Sequence, residues 1–186
     1  MRVEFKNDRT RALEEMEGSD GRANTSSRSD SRGYYNSRDE GRSFSVAFDH
    51  QTAAAGEYSI YWKNTSTNRD LVISAIGVNS VNASRIKLWF VTGTAAGGDA
   101  ITPTNSNKIS SNAAEATARE ANAGDAITGL ATDGLIDFVW VQATGHEQLR
   151  LDDRVRLGQN DAIAIEYDEG TSGDFGGVIF GYYEET

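Results

Sequence analysis

The fold of this chain is decided by residues 58–78, which read YSIYWKNTSTNRDLVISAIGV. In residues 58–63, Tyr, Ile and Trp alternate with Ser, Tyr and Lys, and a period of two residues is typical of a half-buried β-strand. Residues 64–68 contain only Asn, Ser and Thr, which favour a turn. Leu71–Val78 is almost continuously apolar, so this second strand is predicted to be covered on both faces. The stretch therefore predicts two strands joined by a short polar turn.

The same period recurs along the chain after Ser43, and turn residues such as Gly97-Gly98 and Asp133-Gly134 separate the segments. Eight strands of this length without β–α–β alternation predict an all-β domain, an antiparallel β-sandwich of jelly-roll type that spans residues 43–186. Besides the two strands above, the predicted strands are 44–48, 86–91, 135–141, 147–151, 162–167 and 178–183.

One segment between the fourth and fifth predicted strands departs from this pattern. Residues 102–124 lack the alternation, and their Ala-rich centre, Asn112–Ala123, fits a helix or an extended excursion equally well. The sequence leaves both alternatives open.

The alternation also assigns side chains to the two faces of a strand. All three tryptophans lie inside strand patterns, where large aromatic side chains usually fill a core or a subunit contact. A sugar-binding groove lined by these tryptophans is the alternative. The clearest assignments set Ile86, Leu88 and Phe90 opposite Trp89 and Val91, and place Ile136, Phe138 and Trp140 on one face.

The first 42 residues differ in composition from the rest of the chain. They hold nine basic and nine acidic side chains, whereas residues 43–186 hold nine basic and 19 acidic ones, which accounts for the net charge of −10. Because residues 1–42 contain few apolar side chains, they are predicted to form an extended polar N-terminal arm rather than a core. At most one short helix is expected in the arm, over Asp8–Glu17, with Gly18 as its stop.

A long polar arm is suited to binding neighbouring subunits of an assembly. Within it, Tyr34, Tyr35 and Arg38 are the predicted partner contacts, because aromatic side chains and Arg dominate interface energetics. The body is predicted to form a homotrimer, since its many strand aromatics must be covered somewhere. The strand 178–183 is a candidate for that trimer contact.

Composition excludes several classes of protein. The 186 residues include no Cys, which excludes disulfides and Cys-based zinc or iron–sulfur sites. The N-terminal residues have no apolar segment of the kind found in secretory signals, and no run approaches the ~20 apolar residues that span a bilayer. A net charge of −10 argues against electrostatic binding of nucleic acid. We therefore expect no membrane or nucleic-acid partner.

The sequence contains no recognisable catalytic constellation. His50 and His146 lie outside any metal-ligand spacing, and there is no G-x-S-x-G elbow, P-loop or dinucleotide fingerprint. The chain is therefore predicted not to be an enzyme and to use no metal or cofactor. The acidic segments Asp152–Asp153 and Asp161–Asp174 keep Ca²⁺ binding open as an alternative to simple solvated loops.

Several stretches of this chain resemble small proteins encoded in the structural gene clusters of tailed bacteriophages. The likeness covers most of the chain, including GSDGR (18–22) and YYNSRD (34–39) in the arm. In the body it is carried by GEYSIYWKNT (56–65), LVISAIGV (71–78), VTGTAAGG (91–98), AAEATA (113–118), VRLGQNDAIA (155–164) and GVIFGYYE (177–184).

This resemblance implies a non-enzymatic virion structural protein, above all a head decoration or cement protein. Similar phage proteins are often jelly-roll trimers on the capsid, so the implied partners are further copies of this chain and the major capsid protein. The implied location is the capsid surface, after synthesis in the reducing host cytoplasm, where a Cys-free chain is well suited. The alternative within the same likeness is a receptor- or glycan-binding head fibre, spike or tail-associated adsorption protein.

Overall fold

The computed structural model describes residues 4–6, 13–15, 36–37 and 40–185. The chain divides into two compact units, residues 1–30 and 31–186. In the first unit, β1 (Glu4–Lys6) and β2 (Leu13–Glu15) form an antiparallel pair. The helix predicted over Asp8–Glu17 is therefore wrong at Leu13–Glu15. A short isolated helix is only marginally stable, and strand pairing gives the same backbone groups hydrogen-bond partners.

Residues 40–185 of the second unit form eight long strands and three short ones. Each of the eight predicted strands lies inside one of the long strands, so this prediction is confirmed. The strands are β3 (Ser43–Ala53), β4 (Glu57–Asn64), β5 (Arg69–Ser80), β6 (Ser84–Ala96), β7 (Asp99–Ile101), β8 (Thr104–Asn105), β9 (Ala116–Glu120), β10 (Thr128–Val141), β11 (Gly145–Leu157), β12 (Ala162–Gly170) and β13 (Gly173–Glu185).

These strands form two antiparallel sheets, ordered β10-β6-β12-β4-β9-β7 and β11-β5-β13-β3-β8. Along the chain, the long strands alternate between the sheets, except that β6 and β10 both belong to the six-stranded sheet. That order is the jelly-roll arrangement of two interlocked Greek keys. The predicted fold class, an antiparallel β-sandwich of jelly-roll type, is confirmed.

The segment between β6 and β10, residues 97–127, is extended in the described structure and is called the excursion below. It contributes β8, which pairs with β3, and β9, which pairs with β4. Of the two alternatives for Asn112–Ala123, the extended excursion is therefore correct, because its backbone groups find partners at the edges of both sheets.

The excursion also holds the residues that lead into β3. Three of its asparagines donate side-chain hydrogen bonds to backbone carbonyls there, with N–O distances of 2.8 to 2.9 Å. The donor and acceptor pairs are Asn105 to Gly41, Asn107 to Ser37 and Asn112 to Glu40. These residues are thereby tied to the body, while the predicted boundary between arm and body at residue 42 stays a prediction.

Aromatic side chains fill the core between the sheets. Trp62, Tyr167 and Phe175 are fully buried. The ring of Phe175 meets that of Phe48 edge-on, with centroids 5.3 Å apart, and that of Tyr167 at 5.6 Å. Such contacts add to the burial of apolar area, so this ring cluster links strands of both sheets.

The C-terminal strand is central rather than exposed. β13 lies between β5 and β3, and both Tyr182 and Tyr183 are buried. These two tyrosines are therefore unavailable as the trimer contact suggested for residues 178–183. Of the large apolar residues of this strand, only Phe180 is substantially exposed, at 40%. Within the described residues, no helix is long and apolar enough to cross a membrane.

Replacement of Phe175 by Ala is expected to lower the free energy of unfolding by about 3–5 kcal/mol, because it removes a buried ring and leaves a cavity. Phe180→Ala, on the same strand but exposed, is the matched control and should cost under about 1 kcal/mol. Urea unfolding followed by tryptophan fluorescence measures both. Equal losses in the two variants would contradict the assignment of the core.

Candidate functional site

The outer face of the six-stranded sheet is the most distinctive surface of the body. The inward side chains of its central strand are Ile163, Ile165 and Tyr167, so the alternate residues Glu166 and Asp168 point outward. The neighbouring strands β6 and β10 add charged and aromatic side chains to the same face. We call this set the outer strip; it consists of Trp140, Arg85, Asp168, Lys87, Trp89 and Glu166.

Asp168 is the ionic centre of the outer strip. Its carboxylate accepts a hydrogen bond from Arg85 Nε and another, at 2.5 Å, from Lys87 Nζ. Arg85 also pairs with Glu169 at 3.1 Å. Burial raises the pKa of Asp168, but the hydrogen bonds from Lys87 and Arg85 outweigh burial and hold this pKa below its ordinary value. The carboxylate is therefore ionised and fixed in place at neutral pH.

Each cation of the strip also stands over an indole ring. The guanidinium carbon of Arg85 lies 5.5 Å from the ring centroid of Trp140, and Lys87 Nζ lies 5.5 Å from that of Trp89. Both distances are within the range of cation–π attraction. Trp89 Nε1 in turn donates a hydrogen bond of 2.7 Å to Glu166. The strip is thus a continuous, preorganised row of aromatic and charged groups.

The excursion covers part of the same outer face. Tyr61 of β4, Val91 of β6 and Ala164 of β12 form a second, smaller apolar cluster with Ala121 and Ile127, which follow β9. Trp89 packs against the edge of this cluster. The excursion therefore covers the β4 side of the sheet and leaves the strip open beside β10.

On the uncovered side of the sheet, the edge strand β10 exposes apolar side chains. Leu135, Phe138 and Trp140 of β10 are 47%, 53% and 51% exposed, and they make up half of the large exposed apolar side chains found among the described residues. Clustered exposed apolar side chains next to polar ones mark interaction sites more often than scattered single residues do. The outer strip and the exposed side of β10 together form the candidate functional site.

The tryptophans only partly match the expectation of burial. Trp62 is in the core, and Trp89 faces away from Ile86 and Leu88, as predicted. The prediction that Ile136 shares the environment of Phe138 and Trp140 is wrong. A register shift between Leu135 and Asp137 interrupts the alternation, so Ile136 packs against the core while the two rings are exposed.

The structure places the other candidate residues elsewhere or does not describe them. Tyr34, Tyr35 and Arg38, the predicted arm contacts, lie outside the described residues. Among the acidic residues, Asp161 accepts a hydrogen bond from the backbone N–H of Gly158 at 3.0 Å. Within residues 40–185, no group of three or more His, Asp or Glu side chains is arranged to hold a metal ion.

A second polar cluster, missed by the sequence analysis, joins β3 to β4. His50 Nδ1 lies 2.8 Å from Ser59 Oγ, and His50 Nε2 lies 3.5 Å from a carboxylate oxygen of Glu57. Ser, His and Glu in this order resemble a hydrolase triad. Ser59 is fully buried and His50 is 1% exposed, so the hydroxyl faces the protein interior rather than a substrate. The contact instead links β3 of one sheet to β4 of the other.

Comparison with known proteins gives no relative of this chain: no family model, no curated protein and no solved structure matches it. The fold and the site by themselves define the class, a jelly-roll β-sandwich with an open aromatic and ionic strip on one outer face.

His50 should make stability depend on pH. Burial lowers the pKa of His50 below its ordinary 6.5, against the opposing effect of Glu57 and Asp49. As the pH falls through 6.5, the unfolded chain takes up a proton that the folded chain resists. The free energy of unfolding should therefore decrease toward acid, by at most about 1.4 kcal/mol per pH unit from this residue.

His50→Gln should flatten this slope, whereas His146→Gln, which replaces an exposed histidine, serves as the matched control. Urea unfolding at several pH values between neutral and mildly acidic conditions makes the comparison. An unchanged slope in His50→Gln would show that His50 is not the titrating group.

Proposed function

We propose that this protein is a non-enzymatic structural protein of a phage virion, a capsid decoration or cement protein. In this proposal it bridges neighbouring major capsid subunits through its N-terminal arm and a homotrimeric body, on the capsid surface. The proposal is supported by the resemblance of the sequence to phage structural proteins and by the outer strip on the six-stranded sheet.

The observation that carries the proposal is the open outer strip. Trp and Arg are enriched among the residues that dominate binding energy in protein interfaces, and here Trp140 and Arg85 stand together beside an exposed apolar edge. The charges of the strip are already paired with one another through Asp168. A partner that binds there meets groups in fixed positions, which reduces the cost of ordering them.

The hydrogen bonds that hold Ser37, Glu40 and Gly41 support the bridging role of the arm. Hydrogen bonds from Asn105, Asn107 and Asn112 hold these residues to the body. Tension on the arm would therefore be passed to the sandwich through several bonds rather than through one flexible joint. About 20 extended residues span ~65 Å, so the residues that precede Ser37 are numerous enough to reach a neighbouring subunit.

The test is a comparison of virions with and without the protein. We expect virions that lack it to release DNA at a lower temperature and after milder osmotic shock, and added protein to restore resistance. Trp140→Ala together with Arg85→Ala should restore less than the wild-type chain, because the outer strip is the proposed contact. Phe180→Ala, which alters the outer face of the other sheet, is the control.

A density map of the virion gives the second part of this test. Copies on the icosahedral shell are expected. Density for the chain at the tail tip, or unchanged resistance of particles that lack it, would contradict the decoration role.

A receptor- or glycan-binding role is the second candidate, and one observation favours it. Trp89 and Trp140 lie on the outer face, where an aromatic ring can stack on a sugar, instead of in the core. Asp168 and Glu166 supply hydrogen-bond acceptors beside them. Binding to a glycan array that Trp140→Ala abolishes and Phe180→Ala preserves would favour this role over decoration.

A further inference from the structure

Three of the four edges of the two large sheets are protected against pairing with another chain. In the described residues these edges are β7 and β10 of one sheet and β8 and β11 of the other. β7 has only three residues, and β8 has two, which pair with Phe44 and Ser45 of β3. Beyond β8, the edge of β3 is interrupted: the backbone N–H of Asp49 donates to the Glu120 carboxylate, and Thr52 has a φ of 57°. Very short edge strands are one of the ways in which proteins prevent edge-to-edge pairing.

β11 is protected by its shape and its charges. It pairs with β5 up to Arg150 and again from Val155, so the residues between them bulge out of the ladder. Asp152 and Asp153 in this bulge have φ values of 46° and 60°, in the left-handed region. The regular part of the strand, Gly145–Arg150, carries His, Glu and Arg side chains. Bulges and charges of this kind block an edge.

The last five residues of β10 have neither a bulge nor a row of charged side chains to protect the edge. Asp137–Val141 pairs residue for residue with β6, from Leu88 to Ser84, and no strand among the described residues pairs with its other edge. Asp137 is the one charged residue between positions 134 and 143. The edge is therefore regular, mostly apolar and open.

The sequence around Val139 suits pairing with a copy of itself. In an antiparallel pair about a two-fold axis at Val139, Phe138 lies opposite the partner's Trp140, and Asp137 lies opposite the partner's Val141. Both aromatic side chains are exposed on the same outer face, so each pair is between two large rings. The two Asp137 side chains are offset by four residues along the strands, about 13 Å, which exceeds the screening length of ~8 Å in physiological salt.

Charge also favours a second copy at this edge. Residues 43–186 carry nine basic and 19 acidic side chains, so two bodies repel each other over most of their surfaces. Next to β10, the cations Arg85 and Lys87 offset the carboxylate of Asp168, and the edge itself is nearly uncharged. Two copies therefore meet here with little charge repulsion.

We infer that β10 pairs with β10 of a second copy of this chain, antiparallel about a two-fold axis at Val139. The contact joins two six-stranded sheets into one continuous sheet and covers Phe138 and Trp140 of both copies. The inference concerns the purified chain and is a contact distinct from the proposed homotrimer, because a two-fold contact closes as a dimer. Since this contact covers Trp140, the pair separates before the outer strip meets a capsid subunit.

Disulfide crosslinking tests the register directly, since the natural chain has no Cys. A residue on the two-fold axis faces itself with its Cα about 4.5–5.5 Å away, within disulfide range. Val139→Cys should therefore form a covalent dimer of twice 20.2 kDa under mild oxidation. Ile109→Cys, at an exposed residue between β8 and β9 on the side of the sheets away from β10, is the matched control. Equal crosslinking of the two variants would overturn the inference.

Sedimentation provides the second measurement. Phe138→Lys adds a charge to the edge and should halve the mass of the wild-type assembly, while Phe180→Lys should leave the mass unchanged. Unchanged circular dichroism and thermal unfolding midpoints show that both variants fold. A monomeric wild-type chain, or a trimer whose mass Phe138→Lys does not alter, would overturn the inference. The trimer result would leave the proposed capsid role intact.

Discussion

The register of β12 between β4 and β6 is the constraint on which the rest of the structure depends. Ile163, Ile165 and Tyr167 point into the core, and the alternate residues Glu166 and Asp168 point outward to the strip. Because side chains alternate with a period of two, a slip by one residue would bury both carboxylates and expose the three apolar side chains. The same register therefore fixes the core and the candidate site together.

This coupling explains why the strip is ordered although it lies at the surface. Arg85 and Lys87 are neighbours on one face of β6, and β12 presents Asp168 beside both of them. An isolated surface ion pair contributes little to stability, because its side chains lose freedom and water competes for them. Here the sheet positions all three groups, and the indoles of Trp89 and Trp140 flank the cations. The backbone supplies most of the order.

Most of the fold could be predicted from the sequence, since alternation is a local property of the chain. It located the eight long strands, the burial of Trp62 and the opposite orientation of Trp89. It could not locate the register shift before Asp137, because a bulge depends on how a neighbouring strand is paired. The ion pair of Arg85 and Asp168 joins residues 83 positions apart, and no local pattern reveals such a pair. The helix expected over Asp8–Glu17 failed at Leu13–Glu15 for a similar reason, since pairing with β1 decides the conformation of those residues.

The charge distribution sets the conditions for any assembly built from this body. A net charge of −10 acts over a distance of about one screening length, whereas ring contacts and backbone hydrogen bonds act only at contact. Salt therefore weakens the repulsion between bodies more than it weakens contacts through Phe138 and Trp140. Repulsion over the remaining surface, in turn, disfavours contacts in any other orientation. In the proposed contacts, the acidic body thus limits where copies or partners approach, and the nearly neutral strip is the place where they bind.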